Sequence, residues 1–312
     1  MQEGSKKAVF AALLSNLLIT IFKLTAALLS GSSSMLAEGY HSISDTFNQV
    51  LLLLGLRRCR RLPSRLHPFG YGKEQFFWSF VVAVILFGVA GLLSIIEGVH
   101  KFQHPEPIRH LLLNYLAIGF AIFFESIAFR IAVVNLKEEM KSEGHRNWLR
   151  GLKQSKNPIV LTVVFEDSLA LAGLMIAALA ITIVHFTGLL ILDAIASILI
   201  GFLLMVFALF LANETRKLLV GEAVSPARRK RLLEVLNSYD EINAVISLKT
   251  MHLSTDEVLI AAELNYRDDL VADQIEEVND RIERDLLVIY PRAKVYLEAE
   301  NEESGKNTSC PL

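Results

Sequence analysis

The segment S-M-L-A-E-G-Y-H-S-I-S-D-T-F-N-Q-V-L-L-L-L-G-L, residues 34–56, decides how this chain is interpreted. It is long enough to cross a bilayer, because about 20 predominantly apolar residues span roughly 30 Å of hydrocarbon. Its middle nevertheless carries ionisable side chains, among them His41 and Asp45. An ionisable group deep in a membrane span is costly and marks a functional site by default. The segment therefore predicts a membrane helix that carries chemistry.

Five further apolar runs of similar length accompany this segment. The six predicted spans are approximately residues 8–29, 34–56, 76–99, 111–134, 159–184 and 189–212. The whole chain has 312 residues and is 53% hydrophobic, but from Arg216 onward its composition is that of a soluble domain. We therefore predict a bundle of six transmembrane helices, residues 1–217, followed by a small aqueous domain.

Lysine and arginine are unevenly distributed among the connecting loops. They concentrate in the second and fourth loops, around residues 57–73 and 137–156, and are scarce in the other three. The positive-inside rule then places both termini in the cytoplasm. The arginines of residues 57–65 serve as a topological signal in this interpretation, and binding of anionic lipid is the alternative.

The last part of the chain has the pattern of a compact α+β domain. Ser225-Pro226 is typical of a helix start, and Thr255-Asp256 lies between two β-rich segments as a hairpin turn. Apolar residues recur at helical spacing over residues 271–289, and residues 293–299 alternate as a strand does. We predict a ferredoxin-like αββαβ cytosolic domain over residues 218–303 and a disordered tail over residues 304–312.

Several functional classes are excluded by composition. No extended basic block suggests a nucleic-acid partner, and the formal net charge is −2. The two cysteines, Cys59 and Cys310, have no C-x-x-C spacing, so neither a disulfide framework nor a thiolate zinc finger is expected. No nucleophile and base accompany His41, so we expect no enzyme and no bound cofactor.

The second span offers a pair of metal-binding side chains. His41 and Asp45 are four residues apart, which places them on one face of a helix about one turn apart. A neutral imidazole and a carboxylate can share one ion, and this mixture of nitrogen and oxygen suits zinc. Manganese, iron and cobalt also accept such donors, so the sequence leaves the metal open.

The fifth span offers two adjacent carboxylates, Glu166 and Asp167. Neighbours on a helix are about 100° apart, so both cannot point equally at one centre. Asp167 is followed by small residues at Ala170, Gly173 and Ala177 that permit close helix packing. We predict that His41, Asp45 and Asp167 share a divalent ion, with Glu166 as a fourth ligand, a supporting partner or a proton carrier.

Two other ionisable side chains in the spans receive structural interpretations. Lys23 is expected to extend its amine towards the membrane interface. Asp193 falls in the first turn of the sixth span, where the helix dipole favours an anion.

Three motifs together resemble the cation diffusion facilitator family over nearly the whole chain. They are S-G-S-S-S-M-L-A-E-G-Y-H-S-I-S-D-T-F-N-Q at residues 30–49, H-P-F-G-Y-G-K-E-Q-F-F at residues 67–77, and E-D-S-L-A-L-A-G at residues 166–173. The closing αββαβ pattern also fits. The pattern is most similar to the zinc transporter 9-like branch of that family, which includes bacterial members.

The resemblance implies a homodimeric, proton-coupled exporter that works by alternating access. Three of the family's four intramembrane ligand positions fall on His41, Asp45 and Asp167, and the fourth falls on Val163, which cannot bind a metal. A loop site of the family keeps His67, with Ser64 and Tyr71 at its other two positions. In the tail, the family's metal-binding histidines are largely replaced, and His252 is expected to be a surface histidine.

Two functional hypotheses follow. The first is a zinc/proton antiporter in a bacterial inner membrane, whose partners are the lipid bilayer, a second copy of the chain, divalent metal ions and protons. The second is a membrane scaffold or metal-sensing regulator that keeps the transporter fold without transporting. Retention of His41, Asp45, Asp167 and Glu166 favours the first.

Overall fold

A computed structural model of the chain describes residues 3–142 and 158–301. Within this part, residues up to 55 together with 78–215 form one compact unit, and residues 56–77 together with those from 216 onward form a second. The loop after the second helix thus belongs to the same unit as the C-terminal part of the chain.

The described part of the membrane region is built from helices. They are α1 (Glu3–Ser30), α2 (Ser33–Arg58), α3 (Glu74–Ile85), α4 (Leu93–Gln103), α5 (Leu111–Ser142), α6 (Pro158–Thr187) and α7 (Ile191–Val220). A π-helical segment, Leu86–Leu92, joins α3 to α4 without a break, so the two form one long rod. In the middle of this rod Gly91 packs so closely on α7 that a Cβ at Gly201 would lie 2.7 Å from the Gly91 carbonyl.

Small apolar side chains form the core of the first unit. Ala26, Ala121 and Ala177 are fully buried, and larger residues such as Leu174 and Ile181 fill the space between them. In contrast, large apolar side chains such as Leu28 and Phe186 point outward and are 75% and 81% exposed. Apolar surface on the outside of a helical unit is the arrangement expected where lipid surrounds the protein.

Four of the described helices are long and apolar enough to cross a membrane. They are Glu74–Gln103, Leu111–Val134, Val164–Thr187 and Ile191–Val220. In α1 the described apolar stretch, Asn16–Ser30, is shorter, and α2 does not reach the same hydropathy. The physical reason in α2 is its polar face, which contains Glu38, His41 and Asp45. The chain is therefore an integral membrane protein with several apolar helices.

The second unit contains a small three-stranded sheet. Its elements are α8 (Pro226–Leu236), β1 (Ile242–His252), β2 (Val258–Tyr266), α9 (Ala272–Ile289) and β3 (Lys294–Ala299). The strands lie in the order β1-β2-β3, with β1 and β2 antiparallel and β2 and β3 parallel. The element order is the predicted helix, strand, strand, helix, strand.

Both helices of this unit cover the sheet with apolar faces. Leu232 and Leu236 of α8 and Ile282 and Leu286 of α9 are fully buried together with Ile260 of β2. The predicted start of α8 is present, since the Ser225 hydroxyl accepts a hydrogen bond from the Arg228 backbone N–H at 3.3 Å.

Candidate metal site

His41 and Asp45 lie together in the middle of α2, as their spacing predicts. The His41 Nδ1 and the Asp45 Oδ1 are 3.6 Å apart, and the His41 side chain is only 1% exposed. Within residues 3–142 and 158–301, neither ring nitrogen of His41 nor the Oδ1 of Asp45 has a hydrogen-bond partner. Buried polar atoms are normally paired, so these atoms without partners mark a candidate ligand site.

The fifth-span carboxylates occupy different environments. The Asn48 side-chain amide of α2 donates a hydrogen bond to the Glu166 Oε1 at 2.7 Å, and the Glu166 carboxyl also interacts directly with that of Asp45. The Glu166 and Asp167 side chains are both partly exposed, and the charge of Asp167 also acts on Asp45. The packing of α6 therefore turns Glu166, more than Asp167, towards α2.

Small residues allow α6 to approach α2, as the sequence predicts. Ala170 and Ala177 are buried, and Gly173 touches the Glu38 side chain so closely that a Cβ there would overlap the Glu38 Oε1. The α2–α6 interface is thus lined by a row of polar side chains, which we call the polar column: Glu38, His41, Asp45, Asn48 and Glu166.

The polar column is not assembled as a closed metal site. Among the described side chains, no group of three or more His, Cys, Asp and Glu residues is placed so that it could hold one metal ion. The Val163 side chain, at the family's fourth ligand position, lies outside the side chains that the structure describes. The structure places His41 beside Asp45 and places Glu166 against Asn48 of the same helix, but among the described side chains it does not gather three of these donors around one point.

Lys23 does not extend to the membrane interface, and that prediction is wrong. Its ammonium lies 3.0 Å from the Glu38 Oε2, and the two side chains are 1% and 0% exposed. No local pattern pairs them, because they belong to different helices and lie 15 residues apart along the chain. The only signal in the sequence is that two opposite charges, a lysine and a glutamate, lie in neighbouring apolar segments.

Asp193 has a structural role, as the sequence suggests. It acts at the start of α2, however, and not on its own helix, α7. Its carboxylate caps α2, because it accepts hydrogen bonds from the backbone N–H groups of Ser33 and Ser34 at 2.6 and 3.2 Å. It also accepts from the hydroxyls of Ser32, Ser33 and Ser34. The S-S-S run is therefore a ring of donors around one buried carboxylate.

The second unit contains the remaining positions that correspond to metal sites of the family, and their side chains contact neighbouring residues. The Ser64 hydroxyl lies 3.2 Å from that of Tyr71, and the rings of His67 and Tyr71 are 4.4 Å apart. His252 is partly buried, and burial lowers the pKa of its imidazole.

Residues 9–220 match the family model of the cation efflux transmembrane domain. That match covers more than half of the chain, so the protein belongs to the cation efflux family.

Its relatives include eukaryotic and bacterial metal transport proteins. The chain is 30% identical over 264 residues to the mitochondrial proton-coupled zinc antiporter SLC30A9 of Homo sapiens, a match that covers 85% of this chain and 46% of the antiporter. It is 32% identical over 272 residues to metal tolerance protein C4 of Arabidopsis thaliana, covering 86% and 59% of the two chains. It is 22% identical over 250 residues to the manganese efflux system protein MneP of Bacillus subtilis, covering 78% of each. The chain thus spans about half the length of the antiporter it matches.

Proposed function

We propose that this protein exports a divalent metal ion, most readily zinc, in exchange for protons by alternating access. Membership of the cation efflux family and similarity to a proton-coupled zinc antiporter support this function. The metal is the transported substrate, so the proposal needs neither a cofactor nor an enzymatic step.

One observation carries the proposal. The imidazole of His41 is buried in a membrane helix beside Asp45, and its two nitrogens have no partner within the described residues. Imidazole and carboxylate bind zinc only after losing their protons, so binding of the ion releases protons. We assign His41, Asp45, Asp167 and Glu166 to the site, with Glu166 opposite Asp45 and Asn48 across the interface. The same donors accept manganese, iron and cobalt, and one relative is a manganese efflux protein.

Metal flux in reconstituted vesicles tests this proposal. Purified full-length protein in proteoliposomes is expected to take up zinc while an internal dye records a change of pH. Replacing His41 with Ala should abolish the flux, and replacing His185, an exposed histidine in the last turn of α6, should leave it intact. Comparing zinc with manganese, iron and cobalt identifies the substrate. Zinc binding without any metal flux would overturn the proposal.

We propose six spans with both termini in the cytoplasm. α2 is surrounded by other helices along its polar column, so it does not need an apolar surface on every side. Cysteines introduced at Arg61 and Gln103, both exposed, should react with a membrane-impermeant maleimide from opposite sides in a variant lacking Cys59 and Cys310. Labelling of both from the same side would contradict this topology.

The second candidate function is a non-transporting scaffold or metal-sensing regulator. It is favoured by Val163 at a ligand position and by the lack of a group of three donors within the described side chains. The flux experiment separates the two functions, because a regulator would bind zinc without moving it.

We propose that the protein is a homodimer in a bacterial inner membrane, with a ferredoxin-like cytosolic domain over residues 218–303. The order of its helices and strands and the similarity to a bacterial efflux protein support this assignment. Sedimentation of the purified full chain tests the stoichiometry, and a monomeric mass would contradict it.

A further inference from the structure

The buried ion pair of Lys23 and Glu38 has no part in the function proposed above. Its two charged atoms are 3.0 Å apart, and neither side chain is more than 1% exposed. Removing two charges from water costs several kcal/mol for each ion, even in real proteins after relaxation. Charged side chains within membrane spans are accordingly rare and mark ion pathways.

The position of the pair connects it to the polar column. Glu38, His41 and Asp45 are at positions i, i+3 and i+7 of α2, so they follow one another along one face of the helix. Glu38 lies about 4.5 Å along the helix axis from His41, on the side of the Ser33 end. It also contacts Gly173 of α6, which is seven residues after Glu166 and so lies on the same face of that helix. The column therefore extends by one more carboxylate beyond His41.

Only half of the Glu38 carboxylate is engaged. The Oε2 atom accepts from Lys23, whereas the Oε1 atom is buried and has no hydrogen-bond partner within the described residues. The charges of Glu125 of α5 and of Asp45 also act on Lys23. The amine therefore has a second carboxylate within its surroundings if Glu38 becomes occupied.

We propose that Lys23 is a tethered counter-cation that competes with the transported metal for Glu38, which is a further ligand of the ion. Lysine suits this role because its ammonium is a compact charge on a flexible four-carbon stem. When the ion moves from His41 and Asp45 towards the Ser33 end, it takes the Glu38 oxygens and the ammonium turns to Glu125. When the ion leaves, the ammonium returns and the column is closed again. This inference rests on the proposed metal transport.

Two substitutions of Lys23 should shift zinc affinity in opposite directions. Replacing Lys23 with Gln removes the competitor, and zinc should bind the purified full-length protein about tenfold more tightly. Replacing Lys23 with Arg keeps the charge but holds the carboxylate through a fork of donors, so zinc should bind several-fold more weakly. The Arg variant preserves the buried pair and keeps the test informative if the Gln variant fails to fold.

The Lys23→Gln substitution in a Glu38→Gln variant distinguishes competition for Glu38 from simple repulsion between Lys23 and the metal ion. In protein that also carries Glu38→Gln there is no carboxylate to compete for, so Lys23→Gln should change zinc affinity by less than about twofold. Titration calorimetry with zinc alone, in nanodiscs, measures all of these affinities. Tightening that persists with Glu38→Gln, or an unchanged affinity in Lys23→Arg, would overturn the inference while leaving zinc transport intact. An unmodified protein that binds no zinc would overturn the proposed function and this inference with it.

Discussion

Carboxylates are buried at two places along α2, and the two places differ in how many hydrogen-bond partners the carboxylates have. At the Ser33 end, Asp193 accepts hydrogen bonds from two backbone N–H groups and three serine hydroxyls. In the middle of the helix, Glu38 and Asp45 each retain an oxygen without a partner in the described part of the chain, and His41 retains both nitrogens. The first region is saturated with hydrogen bonds, and the second is not.

The difference distinguishes a structural carboxylate from the proposed binding site. A buried polar group without a partner costs about 1–3 kcal/mol, and more if it is charged. Where the chain supplies every partner, as it does for Asp193, the carboxylate stabilises the N-terminus of a helix. Along the polar column the described part of the chain does not supply these partners, and a bound ion can make the missing interactions.

The largest effect is expected in the unsaturated region. Replacing His41 with Ala should lower zinc flux at least about a hundredfold, because even partners of metal ligands change affinity by 10–100-fold. The unfolding temperature should stay the same or rise, since the change removes a buried group without partners. Flux in proteoliposomes and thermal unfolding in detergent measure the two quantities, and a joint loss of both would make His41 structural.

The opposite result is expected for the saturated region. Replacing Asp193 with Ala leaves the Ser33 and Ser34 N–H groups without their acceptor and should destabilise the protein by about 3 kcal/mol. Zinc affinity of the folded fraction should change less than twofold. Asp193→Asn, which keeps one acceptor oxygen, is the matched control and should lose less stability. An unchanged unfolding temperature in the Asp193→Ala variant would contradict the structural role of Asp193.

A third experiment compares the neighbours Glu166 and Asp167. Glu166 accepts a hydrogen bond from Asn48 of α2, and Asp167 has no such bond to α2 among the described residues. Replacing Glu166 with Gln should weaken zinc binding about tenfold, and Asp167→Asn should weaken it less. If Glu166 acts only as a proton carrier, its variant will bind zinc normally and lose the pH dependence of flux. The reverse ranking of affinities would return the main ligand role to Asp167.

The smallest effect is expected outside the membrane, at the exposed pair of Glu241 and Arg281. Arg281 donates a hydrogen bond to Glu241 and lowers the pKa of that carboxyl. A depressed folded-state pKa stabilises the protein above the unfolded value and loses this contribution as the pH falls through the folded one. Replacing Glu241 with Gln should therefore cost less than about 1 kcal/mol at pH 7. The cost should shrink further below about pH 4, and thermal unfolding at both pH values measures it.

Much of the architecture was accessible from periodicity and composition. The tail's order of helices and strands follows from alternation, from apolar residues at helical spacing and from the Ser225-Pro226 start, and the structure confirms it. These signals are local, because each depends on residues within a turn or two. The pairing of His41 with Asp45 belongs to the same class, since four residues on a helix fix the distance between two side chains.

The family was also predicted from the sequence, because its motifs are short runs of residues in a fixed order. The match of residues 9–220 to the cation efflux transmembrane domain confirms it. Hydropathy was less informative for α2, since the side chains that matter most for the site make this helix the least apolar of the predicted spans.

Local sequence patterns therefore predict which ionisable residues lie within apolar helices and to which family they belong. The packing of the helices is needed to place Glu166 opposite Asp45, to bury Lys23 against Glu38, and to bring Asp193 of α7 to the start of α2. The physical reason is that a sequence sets the angular position of each side chain on its own helix. Which neighbour that side chain meets depends on how the helices are rotated and packed, and this is determined by side chains distributed over the whole bundle.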